Sequence, residues 1–265
     1  MGSEESILVH DDKGVRTITL NRPDVLNAFN DDMLSALKKT LRAAEKEKTV
    51  RCVILTGAGR AFGSGQDLAD VKDRYTKDEP VQFTQHLRDH YNPIITKMRT
   101  MEKLIIGAIN GVAAGAGCSL ALACDMRIAA ESASFIQAFV KVGLVPDSGS
   151  TFMLPRLIGV ARAMEMACTG RKIEADEALR IGLVNRVVPD ADLLAATTEL
   201  ATKLASMATR AIGLIKRAIN AAWTSDLETQ LDYEAMLQQT AGQTHDHREG
   251  VRAFIEKRKP VFRGE

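Results

Sequence analysis

Two glycine-rich turns and one isolated carboxylate are the parts of this sequence whose residue types suit chemistry. The first turn is GAGRAFGSGQD at residues 57–67, directly after the apolar run Cys52, Val53, Ile54, Leu55. The second lies inside LIIGAINGVAAGAGCSLALACD at residues 104–125, where an apolar run crosses several glycines and alanines and resumes as a helix-like run from Leu120. Small residues let another group approach the backbone, and a helix start leaves N–H groups without partners. Two such N–H groups aimed at one oxygen suit an acyl-transfer or enolate reaction. They would stabilise the charge that grows on a thioester carbonyl as its α-proton leaves, by roughly 3 kcal/mol per donor. A tightly packed strand–helix crossing with no ligand uses the same residues, and the stretch alone leaves both readings open.

The carboxylate is Asp147, in GLVPDSGSTFMLP at residues 143–155. A side chain there can move a proton, or it can cap a helix starting near Ser148; local chemistry allows either. Ser119 sits in GCSLA, which approaches a nucleophile elbow but lacks its last glycine. His86 and His90 are four apart, a spacing that suits a metal on one helix face. Leu87, where the acidic partner of that motif would stand, points instead to a solvated face, and no metal is expected. Neither glycine turn carries the Gly-Lys-Ser/Thr of a phosphate loop or a dinucleotide fingerprint.

These residues need a frame. At 265 residues the chain can bury a substantial core, and 45% hydrophobic with 26% charged residues is ordinary for a globular protein. A net charge of +1 gives no polyelectrolyte signal, so nucleic acid is not expected as a partner. No ungapped apolar run reaches the roughly eighteen residues of a membrane span. The acidic start MGSEES lacks a signal core, and Cys52, Cys118, Cys124 and Cys168 lack C-x-x-C spacing. A reducing cytoplasm fits both features.

Residues 14–20 and 52–55 read as strands. Asn30 is placed to cap a helix bearing Leu34, Leu37, Leu41 and Ala44. Strand–helix–strand recurrence predicts an α/β fold with much parallel pairing. Residues 76–100 are polar and mixed, running into a helix. From residue 190 onward the pattern is helical throughout, which divides the chain into a core at 1–190 and a helical assembly region at 191–265.

In order along the chain stand LNRPDVLNAFN (20–30), GAGRAFGSGQDL (57–68), INGVAAGAGCSLALACD (109–125), GLVPDSGS (143–150), GLVNRVVP (182–189) and EGVRAFIEKRKPVF (249–262). With these in register the sequence resembles the crotonase (enoyl-CoA hydratase/isomerase) superfamily over nearly its full length. The resemblance implies a spiral of ββα turns with a C-terminal helical trimerisation region, and a homotrimer or dimer of trimers. It also implies an acyl-CoA substrate, with coenzyme A entering as part of that substrate and no permanently bound cofactor. By motif position the oxyanion donors are the backbone N–H groups of Gln66 and Ala116. Leu26, Ser64, Asp67 and Leu68 would lie along the CoA, and Phe254 and Lys257 match positions near its adenine end.

Departures from the family pattern narrow the chemistry. Hydratases of the family carry two glutamates, at the places held here by Ser119 and Phe139. Neither side chain can serve as a carboxylate base, so water addition is not expected. Asp147 occupies the place of the single acid/base in several isomerases of the family. Phe139, Val142 and Leu144 would exclude water from it. The strings AAGAG, AFVKVGLVPDSG and AGQTHDHREGVRAF are most similar to the subgroup acting on 2-(1,2-epoxy-1,2-dihydrophenyl)acetyl-CoA in phenylacetate catabolism, which also shifts enoyl double bonds between positions 3 and 2. Two other readings stand beside this one: a thioester hydrolase through Ser119, and a non-catalytic CoA-binding subunit.

Overall fold

The computed structural model describes residues 5–67 and 82–265. Its backbone repeats one motif: a long buried strand, a short strand at an angle to it, then a helix. β1 (Ile7–Asp12) and β2 (Val15–Leu20) open the chain as an antiparallel pair, followed by α1 (Asp31–Lys46). The first full repeat is β3 (Cys52–Gly57), β4 (Ala61–Gly63) and a helical run made of α2 (Phe83–His86), a π turn (Leu87–Tyr91) and α3 (Asn92–Thr100). The second repeat is β5 (Leu104–Ile109), β6 (Val112–Ala114) and α4 (Ala116–Ala123). The third is β7 (Met126–Ala130), β8 (Ser134–Ile136), α5 (Ser150–Ile158) and α6 (Val160–Thr169). β9 (Lys172–Glu174), α7 (Ala175–Arg180) and β10 (Arg186–Val188) close the core.

Among the described residues the long strands form one sheet in the order β1-β2-β3-β5-β7-β10 and the short strands a second, β4-β6-β8-β9. Each repeat adds one parallel strand to both sheets, as in Cys52 opposite Leu104 and Ala61 opposite Val112. That stepping is the spiral, and the crotonase fold with its C-terminal helices is present as expected. β3 is buried along its whole length, which is why CVIL reads as a continuous apolar run rather than an alternating one. β1 is absent from the sequence reading. Only Ile7 of its six residues is buried, so it shows no apolar period.

Asn30 caps α1 as expected, its side chain accepting from the Met33 N–H at 3.0 Å. Leu34, Leu37, Leu41 and Ala44 all face the core. Burying one such leucine contributes about 1.5–3 kcal/mol. Four helices follow the core: α8 (Leu193–Ala205), α9 (Thr209–Ala222), α10 (Leu227–Gly242) and α11 (His245–Ile255). α8 does not stand apart; its buried Leu193, Thr197, Ala201 and Ala205 pack on β2, β3, β5 and β7. α9 is pinned by Lys216, which donates to the Met98 carbonyl at 2.6 Å and to Asp125 at 2.7 Å.

Asn27 holds the loop after β2 and the loop between β3 and β4 to one another. It is fully buried with φ +55°, its Oδ1 accepts from the Arg22 N–H, and its Nδ2 donates to the carbonyls of Ala58 and Ala61. Asn27→Ala strands these groups, at roughly 1–3 kcal/mol for each one left unpaired. Asn27→Asp keeps the shape but sets a carboxylate against two carbonyls. Both variants are expected to lower the urea midpoint, the aspartate at least as far as the alanine.

Candidate functional site

The two glycine turns meet at the end of β4 and the start of α4. A Cβ built on Gly117 would sit 2.0 Å from the Gly63 carbonyl oxygen, so no side chain fits there. Gly65, at φ +96°, has room for none either: its Cβ would lie 3.0 Å from the Ala114 oxygen and 3.3 Å from the Ala116 nitrogen. The Gly65–Gln66 peptide therefore lies against the first residue of α4. A Cβ on Gly115, between them, would meet nothing within 4 Å. The space in front of the two turns is open.

Gln66 forms an isolated parallel bridge with Phe29. Gly65 O accepts from the Phe29 N–H at 2.7 Å and the Asp67 N–H donates to Phe29 O at 2.9 Å. That alternation turns the Gln66 N–H to the side away from Phe29. Ala116 is the first helical residue of α4, so its own N–H has no intrahelical acceptor. The structure brings the two expected oxyanion donors to one place.

The Gln66 side chain is held by Tyr91, which sequence reasoning passed over, and by His86. Its Oε1 accepts from the Tyr91 hydroxyl at 2.6 Å, with His86 Nε2 at 3.4 Å. Burial, followed by the negative fields of Asp147 and Asp31, pushes the Tyr91 phenol far up, so it stays a protonated donor. Tyr91 thus contacts the side chain of Gln66 and feels the field of Asp147. It lies in the mixed polar segment, where no period marks it.

Asp147 is half-buried, and burial raises its carboxyl above the usual carboxylate range. The Ser148 hydroxyl, donating to Asp147 Oδ1 at 2.9 Å, offsets part of that rise. The loop reverses through two left-handed residues, Ser148 at φ +51° and Gly149 at φ +80°. The capping alternative fails: α5 begins at Ser150 behind Gly149, and no side chain caps it. Phe139 is buried beside this loop as expected. Val142 and Leu144 are not; they are 62% and 37% exposed, so they do not exclude water within one chain.

Ser119 is fully buried under α4. Its Oγ pairs with Ser150 Oγ at 2.7 Å and reaches Gly115 O at 3.3 Å. Gln137 Nε2 donates to Ser150 Oγ at 3.0 Å and approaches Cys118 Sγ at 3.4 Å. No histidine hydrogen-bonds this group, so Ser119 has no base to make it a nucleophile. Burial pushes the thiols of Cys52, Cys118 and Cys124 up to about 12, which leaves them unreactive; Cys168 is exposed.

The remaining expected binding residues fall in two places. Leu26 O accepts from the Ser64 N–H at 3.0 Å, which sets both beside the oxyanion turn. Asp67 is ion-paired to Arg22 Nη1 at 2.9 Å, and the same nitrogen donates to Ala28 O, so its carboxylate anchors the loop. Leu68 lies outside the described residues. Phe254, 85% exposed, borders a groove among the C-terminal helices with Gly250 and Phe262, and Lys257 follows at φ +55°. No residue of the Asp147 site lines that groove. His86 and His90 do not lie on a solvated face. Both are half-buried and gather against Asp31.

A spiral of parallel strands that brings two glycine-rich turns together at a helix start defines the fold class. The chain belongs to the enoyl-CoA hydratase/isomerase family, whose model matches residues 10–265. It is 48% identical over 260 residues to the 1,2-epoxyphenylacetyl-CoA isomerase of Escherichia coli K12, covering 98% of this chain and 99% of that one. It is 37% identical to the short-chain-enoyl-CoA hydratase of Clostridium acetobutylicum, over 96% of both chains. The crystal structure of an enoyl-CoA hydratase from Bacillus anthracis superposes with a TM-score of 0.92 at 38% identity, covering 98% of this chain and 100% of that one. Among the described residues no helix is long and apolar enough to cross a membrane.

Burial of Asp147 has a consequence for stability. Its folded pKa lies above the ordinary value of 3.8, so the folded state binds the proton more tightly than the unfolded state. Ionising the carboxyl therefore destabilises the fold as pH rises through that range, and the penalty persists above it. Asp147→Asn, whose amide oxygen can still accept from Ser148, is expected to be more stable than the parent at neutral pH. The gain should fade as pH falls below 3.8. Denaturation curves across pH measure it, and a gain that grows on acidification would contradict the assignment.

Proposed function

We propose that this protein is an acyl-CoA isomerase in which Asp147 carries the proton while the N–H groups of Gln66 and Ala116 hold the enolate oxygen. The observation that carries this reading is the division between two places at the site. Asp147 is a carboxyl lifted by burial, and the hydratase position is filled by Ser119, locked into a network with Ser150 and Gln137. Isomerisation adds and removes no atoms. One acid takes a proton from the carbon next to the thioester carbonyl and returns one to another carbon. Hydration instead needs a group to activate water, and neither Ser119 nor Phe139 is one.

The substrate that this reading favours is 2-(1,2-epoxy-1,2-dihydrophenyl)acetyl-CoA, giving the oxepin-CoA. The relative at 48% identity bears the name of that activity. A Δ3,Δ2-enoyl-CoA isomerase uses the same machinery and is the neighbouring alternative. CoA would run along Leu26, Ser64, Asp67 and Leu68. Phe254 and Lys257 would serve its adenine end from a neighbouring subunit of a homotrimer or dimer of trimers, in the cytoplasm. Phe254 lies exposed near the end of α11 and Lys257 just beyond it, away from Asp147, which supports a cross-subunit role.

General acid–base catalysis contributes roughly 10²–10⁴-fold. Asp147→Asn is expected to lose that much in bond-migration turnover while calorimetry shows CoA-thioester binding retained. Wild-type turnover in this variant would sink the proposal. A panel of enoyl-CoAs assayed for migration and for hydration should show migration alone; activity in neither, with binding intact, would mark a silent CoA-binding subunit.

A further inference from the structure

Asp31, His86 and His90 come from parts of the chain that are far apart in sequence. Asp31 is the first residue of α1, and the two histidines lie in the helical run formed by α2 and the π turn. Among the described residues this is the group whose ligand-type atoms converge, all within 4.8 Å of one another. His86 Nδ1 is 3.8 Å from Asp31 Oδ1, and the two imidazole rings have centroids 4.8 Å apart, tilted by 35°. Zinc bonds of roughly 2.1 Å in a tetrahedron set neighbouring ligand atoms about 3.4 Å apart. Small ring rotations close the difference.

A second observation points to a ligand here. His90 Nδ1 is shut off from solvent and has no hydrogen-bond partner, and a buried polar atom of that kind calls for one. Two imidazoles and one carboxylate make a donor set for borderline ions such as Zn2+ or Co2+, and not for Mg2+ or Ca2+. We propose that Asp31, His86 and His90 bind one divalent first-row transition-metal ion of the zinc type beside Gln66.

The second shell is already laid out. With His86 Nδ1 on the ion, its Nε2–H becomes the donor to Gln66 Oε1 at 3.4 Å, the oxygen that Tyr91 also reaches. Metal-bound histidines typically donate their other N–H in this way, which fixes the tautomer and the ring. The ion would tie the histidine turn to the start of α1 and stiffen the side chain of an oxyanion residue. Three protein ligands leave a fourth position for water or an added ligand.

The test uses the full chain, freed of metal by chelator and titrated with Co2+ and then Zn2+, by calorimetry and visible absorption. The expected result is one Co2+ per chain with visible bands from a low-coordinate site, displaced by Zn2+ and unaffected by Mg2+. Removing even an outer-shell partner of a metal ligand costs roughly 10–100-fold in affinity. His90→Gln and Asp31→Asn should each weaken binding by at least that much without lowering the metal-free melting temperature. His245→Ala with His247→Ala, on α11, should leave binding unchanged. Binding that is absent, that exceeds one ion per chain without saturating, or that survives His90→Gln overturns the proposal.

Discussion

The contact between Gly117 and the Gly63 carbonyl is the constraint on which the site depends. The helix start and the end of the short strand touch backbone to backbone, with 2.0 Å left where a Cβ would stand. A methyl group there would push the two turns apart by more than the tolerance of a hydrogen bond to a shared oxygen. Two backbone donors converge because neither turn presents a side chain at the contact. The sheet then supplies rigidity: β4 and β6 are parallel neighbours in the small sheet, while β3 and β5 lie side by side in the large one. Donors on such a frame need no reorganisation when charge develops, which is the source of their effect.

Electrostatics around this frame favour one acid and no second. Tyr91 is buried against Gln66, and its phenol is held protonated by burial and by the negative field of Asp147. A neutral donor beside a desolvated carboxyl adds no opposing charge. The place where a second carboxyl would stand is filled by Ser119, whose hydroxyl is satisfied by Ser150. A glutamate there would break that buried pair as well as add a charge.

What could be read from the sequence followed the range of the interactions. Asn30 was legible because a cap is a three-residue event, and the α1 stripe because burial repeats at the helical period. The glycine turns were legible as close approaches, although only the fold shows what approaches what. Tyr91 was not, since its partners lie 25 residues away at Gln66 and across the loop at Asp147. Asp31 and His86 share a corner through the pairing of α1 with the helical run, and no local spacing encodes that. Asp147 was ambiguous for a related reason: a loop aspartate before a helix has the same local signature whether it caps or titrates. The left-handed Gly149 takes the cap position itself, which removes the capping reading.

That loop also shows how the acid is adjusted. Ser148 is a non-glycine residue at φ +51°, a conformation that costs of order 1–3 kcal/mol and persists only where surroundings enforce it. The strain places its hydroxyl on Asp147 Oδ1, where it opposes the effect of burial. A hydrogen bond to the ionised form favours that form, so it opposes the rise that burial causes. The two opposing causes meet on one carboxyl, and burial is the larger of them.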